Sequence, residues 1–380
     1  MQSTERVYLD HAATTPVDGG VLNDMLPYFS ELFGNSSSQH SFGRQTANAV
    51  TAARDKMAVA LGISPAAELY FTCGGTEADN LGIKGICLAN VDRGRHVVIS
   101  AIEHPAVIES ANDLKKYGFE VTFVNPDGRG VISPKAIADA MRQDTVLVAA
   151  MSANNETGVI QPIADIYSEV KARGAYLWCD CVQSAGVLPL SRFPADGYAL
   201  SAHKFYGPKG AGAACIKKGV RFIRIMSGGH QERGMRGGTL NTPAIIGMSH
   251  ALSLSLSCAA EDGERIVRLR DEFERRVLSQ IDGTAVNGGG ERLPSVTNIS
   301  FDGCDGQNIV FLLDLNGVAC STGAACSSGA ASPSHVLSAM GLDESRVRSA
   351  VRFSFGRNNT AADVDFAVEA IKKVVRAIRG

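Results

Sequence analysis

Through roughly the first two hundred residues, short apolar runs alternate with longer stretches whose apolar positions recur every three or four residues. The short runs predict strands over 68–72, 96–101, 120–124, 145–152, 175–180, 197–201 and 211–216. Segments such as 76–90 and 163–172 carry the helical spacing between them. This alternation predicts an α/β unit, a mostly parallel seven-stranded sheet covered by helices on both faces. Ligands of such sheets sit beyond the carboxyl ends of the strands, so the loops that follow strands are the informative ones. A long helix then spans about 243–281. It is followed by the turn Asn287-Gly288-Gly289-Gly290-Glu291, a strand over 297–301, a helix near 307–316 and an amphipathic helix from Ala361. These elements predict a smaller α+β C-terminal domain. We place the large domain at 16–258 and the small one at 1–15 with 259–380, including a small-residue loop at about 319–334.

Composition narrows the class. With 380 residues the chain can bury a large core without disulfide or metal staples. Its 37 Lys+Arg against 39 Asp+Glu leave a net charge of -2, which argues against direct nucleic-acid binding. Apolar content of 45% with 20% charged residues excludes wholesale disorder. The 40 glycines point to tight turns and close backbone approach to a ligand. The start carries charges of both signs, and no run approaches the ~20 apolar residues of a spanning helix, so neither a secretory signal nor a membrane span is expected. The uncharged stretch 251–260 reads as buried helix. Nine scattered cysteines, an odd number, suit reduced thiols and a cytoplasmic location.

Three loops carry candidate chemistry. Strand 68–72 runs into Cys73-Gly74-Gly75-Thr76-Glu77, where a helix N-terminus could take a phosphate. Alone, the segment reads more simply as a cap, Thr76 with Asp79 three residues on. Asp180 ends strand 175–180 where a ligand would lie, although a helix cap is an equal reading. Cys179 and Cys181 share a strand face and read as small buried thiols, because the second half of a zinc set is missing and no metal site is expected. Most specific is Ser201-Ala202-His203-Lys204-Phe205-Tyr206-Gly207. A Lys among apolar and aromatic neighbours loses charge stabilisation and can form a Schiff base. Schiff-base lysine, an acid for a pyridine nitrogen and a phosphate-cradling turn are what pyridoxal 5'-phosphate needs, and Lys204, Asp180 and Thr76 are the candidates.

The chain resembles a cysteine desulfurase of the nitrogen-fixation and housekeeping iron–sulfur-cluster assembly type, in the class-V pyridoxal-phosphate-dependent aminotransferase family. The resemblance runs from Tyr8-Leu9-Asp10-His11-Ala12-Ala13-Thr14-Thr15-Pro16 to Arg352-Phe353-Ser354-Phe355-Gly356-Arg357. Between them lie Gly34-Asn35-Ser36-Ser37-Ser38, Glu103-His104-Pro105-Ala106-Val107, Asn154-Asn155-Glu156-Thr157-Gly158 and a motif from Gly229 to Thr239. It implies the fold-type-I architecture and a homodimer. It also implies that Lys204 carries the cofactor, Asp180 faces the pyridine nitrogen, Gln183 bonds the phenolic oxygen and His104 stacks on the ring. Gly75, Thr76, Ser201 and His203 would hold the phosphate, with Thr239 reaching in from a second subunit. Asn155 and Arg352 would bind the carboxylate of L-cysteine, and Cys326, on the loop 320–335, would receive its sulfur as a persulfide for an acceptor protein. Lys204 would be the base, His104 a possible assistant, and Cys320 structural. Gln231 and Asn241 resemble the nitrogen-fixation branch, and the chain ends without the longer tail that housekeeping members use to dock a scaffold. Other readings stay open: a selenocysteine lyase or an aminotransferase on the same fold, a non-catalytic sulfur carrier or cluster scaffold, or a nucleic-acid modification factor.

Overall fold

The computed structural model describes residues 6–63, 66–323 and 333–380. The chain enters as a short strand, β1 (Val7–Tyr8), and then builds a seven-stranded sheet. Its strands are β2 (Leu69–Thr72), β3 (His96–Ser100), β4 (Glu120–Val124), β5 (Thr145–Ala149), β6 (Tyr176–Asp180), β7 (Gly197–Ser201) and β8 (Gly212–Ile216). Their spatial order is β2-β8-β7-β6-β5-β3-β4. Pairing is parallel except along β8, which runs against both neighbours. The carboxyl ends of β2, β3, β5, β6 and β7 therefore share one edge of the sheet.

Strands β3, β5, β7 and β8 are buried at every position, as expected of a sheet covered on both faces. One face packs Leu177, Leu200 and Ala213 against helices Ser41–Leu61 and Thr242–Gln280, and the other packs Trp178, Ala199 and Ala214 against helix Gly75–Ala89. The strand expected over 145–152 stops at Ala149. Ala150 and Ser152 still donate to the carbonyls of Trp178 and Asp180, but as irregular backbone turning toward the ligand edge.

Trp178 is the chain's only tryptophan and is fully buried. Its ring lies so close to two backbone segments that a Cβ on Gly82 would come within 2.2 Å of it, and one on Gly197 within 2.5 Å. Overpacking of this kind typically costs about 1–3 kcal/mol. Gly82→Ala is therefore expected to lower the thermal midpoint by several degrees, which differential scanning fluorimetry would register; an unchanged midpoint would show that the ring has room to shift.

A second core forms around β9 (Thr284–Val286), β10 (Val296–Phe301) and β12 (Ala350–Ser354), an antiparallel sheet in the order β12-β10-β9. The pair β1 and β11 (Val318–Ala319) lies beside it. Phe273 meets Phe353 at a tilt and Phe355 edge to face at its centre, and helix Ala361–Arg379 covers it, started by a capping box between Thr360 and Asp363. Helix Thr242–Gln280 joins the cores: Ile245, Met248 and Leu252 enter the first, Ile266, Phe273 and Val277 the second. By length and composition this helix could cross a bilayer. Its apolar side chains are instead used in packing.

Candidate active site

The ends of five strands converge on a cavity of about 290 Å³. Gly75 and Thr76 follow β2, His104 follows β3 and Asn155 follows β5; Asp180 ends β6 with Gln183 just beyond, and Ser201 ends β7 with His203 and Lys204 just beyond. From the second core come Arg352 on β12 and Gly323. The structure thus brings together the expected residues with two exceptions. Thr239 is exposed and does not line the cavity. Cys326 lies outside the described residues, between Gly323, which lines the cavity, and Pro333.

Lys204 sits at the end of a single 3₁₀ turn, Ala202–Lys204, that β7 enters directly. Its Nζ donates to the carbonyls of Ala12 (2.6 Å) and Ala13 (2.8 Å). The Ala12 carbonyl also accepts from Gln183 Nε2 at 3.1 Å. Residues 10–15 are held there by Thr15 Oγ1 donating to the His203 carbonyl and by Ala12 N–H donating to Ser354 Oγ.

Asp180 is 6% exposed, and its Oδ1 accepts from the Val182 amide at 2.8 Å. Burial raises its pKa to about 6, against the opposing pull of that amide and of Lys204. It is therefore mostly anionic at neutral pH and can hold a proton on a facing nitrogen. His104 caps helix Pro105–Leu114 through Nδ1, which accepts from Ala106 N–H at 3.1 Å. Burial first, then the charges of Lys204 and His335, lower its pKa to about 4. Its ring is neutral and suited to stacking. His203 is likewise held neutral, down to about 4, by burial and by Lys204 and Lys209.

The expected Thr76–Asp79 cap does not form. The cap position of helix Gly75–Ala89 is Gly74, with no side-chain hydrogen bond, so its first amides face the cavity. The Gly74 backbone lies so close to β8 that a Cβ on Gly212 would come within 2.5 Å of it, and a Cβ on Gly75 would meet Val182 at 2.8 Å. Uncapped amides with Thr76, Ser201 and His203 beside them suit a phosphate group. With Asp180, Lys204 and a stackable imidazole on one cavity, the donor set fits pyridoxal phosphate.

Arg352 is not a surface ion pair. Its side chain is 5% exposed, with Nη2 on Asp10 at 2.7 Å and Nη1 on the Asn155 carbonyl at 2.9 Å. Its buried Nε has no hydrogen-bond partner among the described residues. Asp10 stands in the motif Tyr8–Pro16, where nothing in the sequence marks it as a partner of Arg352. Asp10 and Asn155 orient a fork that retains donor capacity for a carboxylate.

Glu103 was missed as well. It is fully buried; its Oε1 accepts from Ser100 Oγ and, at 2.7 Å, from the Met151 amide, while Oε2 has no hydrogen-bond partner among the described residues. Burial raises its pKa to about 8. Unfolded, the same acid releases its proton near 4.3, so between those values folding takes up a proton and stability falls as pH rises. The slope is at most about 1.4 kcal/mol per pH unit. Glu103→Gln should flatten the alkaline fall of the thermal midpoint between about pH 6 and about pH 8; an unchanged slope would assign it to other groups.

Comparison with known proteins agrees with this geometry. Residues 7–366 match the aminotransferase class-V family. Cysteine desulfurase IscS of Dictyoglomus turgidum is 41% identical over 376 residues, covering 98% of this chain and 95% of its own. A solved NifS-like protein superposes with a TM-score of 0.92 at 34% identity, over 98% of this chain and all (100%) of that one. A solved structure of SspA in complex with cysteine gives 0.80 at 32% identity, over 92% and 98%. The chain belongs to the class-V aminotransferase family. Within that family its relatives place it among the cysteine desulfurases.

Proposed function

We infer that this protein converts L-cysteine to L-alanine and passes the sulfur on for iron–sulfur cluster assembly, as a pyridoxal-phosphate-dependent cysteine desulfurase. The observation that carries this reading is one cavity holding the Lys204 amine, the Asp180 carboxylate and the Arg352 fork. Pyridoxal phosphate, when bound, supplies the electron sink for bond breaking at the substrate Cα.

The chain's own residues do the rest. Arg352 and Asn155 bind the substrate carboxylate and fix which Cα bond faces the ring. Asp180 holds a proton at the pyridine nitrogen. Lys204 would hold the cofactor and, as a free amine, would remove the Cα proton. Neutral His104, which lines the cavity, would suit stacking on the cofactor and could relay a proton. The thiolate of Cys326 attacks the substrate sulfur; a new S–S bond forms and the Cβ–S bond breaks. The electron pair stays with carbon, which is protonated to the methyl group of alanine. Incubation with L-cysteine and a thiol reductant should yield alanine and sulfide in equal amounts; no alanine would overturn the assignment. Equal amounts of alanine and selenide from selenocysteine, at a higher rate, would mark a selenocysteine lyase.

A homodimer is supported by the exposed apolar side chains of Leu22, Leu26, Phe29, Phe33 and Phe42, of which Phe33 and Phe42 pack together. Thr239 is exposed and absent from its own cavity, as expected of a residue that serves a neighbour's. Phe29→Asp with Phe33→Asp is expected to give a monomer by light scattering, with cofactor affinity at least about tenfold weaker because the partner's phosphate contact is lost. A dimer persisting in the double variant would place the interface elsewhere. The acceptor protein is read as a thiol-bearing partner that meets Cys326. Direct binding to nucleic acid is not part of this reading. The eight described cysteines are all free thiols, which supports a reducing, cytoplasmic location. Oxidised cysteines in protein taken from cells without lysis artefacts would count against that location.

A further inference from the structure

One carboxyl on the cavity is not used by the reaction described above. Asp79, on helix Gly75–Ala89, is 1% exposed and lines the same cavity as Asp180 and Lys204. Its Oδ1 accepts a hydrogen bond of 2.9 Å from Trp178 Nε1. Trp178 and Asp180 are two residues apart on β6, so their side chains leave the same face of the sheet, and Asp79 meets that face from the helix above. Trp178 is itself confined by Gly82 and Gly197. The indole therefore has one place to be, and it fixes the carboxyl it donates to.

A buried carboxylate needs a cation or several donors. Among the described residues Asp79 has one neutral donor and no ion pair. The titratable groups around it are Asp180 at the end of β6, Cys181 just after it and Glu103 from the turn after β3. Around the rest of the cavity lie His104, His203 and Lys204, with Arg352 from the second core. Of the two cations, Lys204 acts on Asp180, and Arg352 is tied to Asp10. Burial first, and then the charge of Asp180, raise the proton affinity of Asp79 well above the ordinary aspartate range. Two acids on one buried site do not both ionise.

We propose that Asp79 is a positioning residue of the cofactor floor: an uncharged carboxylic acid at neutral pH, pinned by Trp178, which leaves the floor's single negative charge to Asp180. This deepens the pyridoxal-phosphate reading and rests on it. Asp180 already binds its proton at about 6. A second negative charge beside it would push that value upward, toward protonation at the pH where the enzyme must keep a charged acid opposite the ring nitrogen. A neutral Asp79 prevents this.

Because Trp178 is the chain's only tryptophan, its emission reads this one hydrogen bond. The test compares wild-type holoenzyme with Asp79→Asn and Asp79→Ala at neutral pH, by tryptophan emission, visible absorbance and pyridoxal-phosphate affinity. Asn is isosteric with a neutral acid and keeps an acceptor for the indole. It is expected to match the wild type in emission and absorbance, with the cofactor dissociation constant within about threefold. Ala removes the acceptor and should shift the emission. A changed Asn spectrum, or an affinity loss beyond about tenfold in that variant, would show a charged Asp79 and overturn the inference. Unshifted emission in the Ala variant would overturn it too, by showing that the indole is not held there. If the wild type takes up no pyridoxal phosphate, the cofactor reading fails by itself, and the emission comparison still decides the charge of Asp79.

Discussion

Lys204→Ala is expected to give a folded protein that is colourless after purification and at least about a thousandfold slower in alanine formation. The amine is both the covalent anchor for the aldehyde and the base at Cα, so one substitution removes two functions that usually contribute 10²-fold or more each. Lys204 donates to the carbonyls of Ala12 and Ala13, which the variant leaves without that donor. Those carbonyls lie at the cavity wall, where water can replace the amine, so the loss in stability should be small beside the loss in rate. The measurement is the visible absorbance of the purified protein together with alanine production from cysteine. A Lys204→Ala protein that keeps a reducible covalent yellow band would place the anchor on another lysine.

Cys326→Ser should separate the two halves of the reaction. Binding of cysteine and the spectral change it induces depend on Lys204, Asp180 and Arg352, all described and all on the cavity. They are expected to survive. Persulfide on the protein and sulfide in solution are expected to fall by at least about a hundredfold, since a serine hydroxyl is not an adequate nucleophile toward sulfur. Mass spectrometry of the trapped protein gives the persulfide, and a sulfide assay gives the turnover. Sulfide release at the wild-type rate would move the nucleophile to another thiol. Cys320 is a poor substitute, because burial pushes its thiol pKa up, far from thiolate formation at neutral pH.

Much of this site could be read along the chain because its residues sit immediately after strands. Lys204 and Asp180 follow short apolar runs with clear ends, and both runs are strands in the structure, β7 and β6. The apolar run 145–152 predicts a strand longer than β5 because apolar content continues past Ala149, where the backbone leaves the regular ladder but stays buried. The spacing of Asp79 from Thr76 fits a helix cap. Nothing local shows that it points at a tryptophan ninety-nine positions later. Asp10 and Glu103 escaped for the same reason: an acid becomes noteworthy only when burial and its distant partners are known. Asp10 meets Arg352 across the whole chain, and Glu103 is perturbed by a desolvation that no motif encodes. Exposure also decides Thr239, which a single chain leaves outside the cavity.

The segment at residues 10–15 has a bearing on biosynthesis. Its anchors are Lys204 from the middle of the chain and Arg352 with Ser354 from near its end. Residues 10–15 leave the ribosome well before Arg352 and Ser354 and must wait for them before their wall of the pocket can stand. A nascent chain can complete the sheet β2–β8 early, as domains generally do during synthesis, but it cannot close the pocket around a reactive aldehyde until β12 has emerged. Truncated translation products would thus carry the lysine without the enclosure that makes it an enzyme.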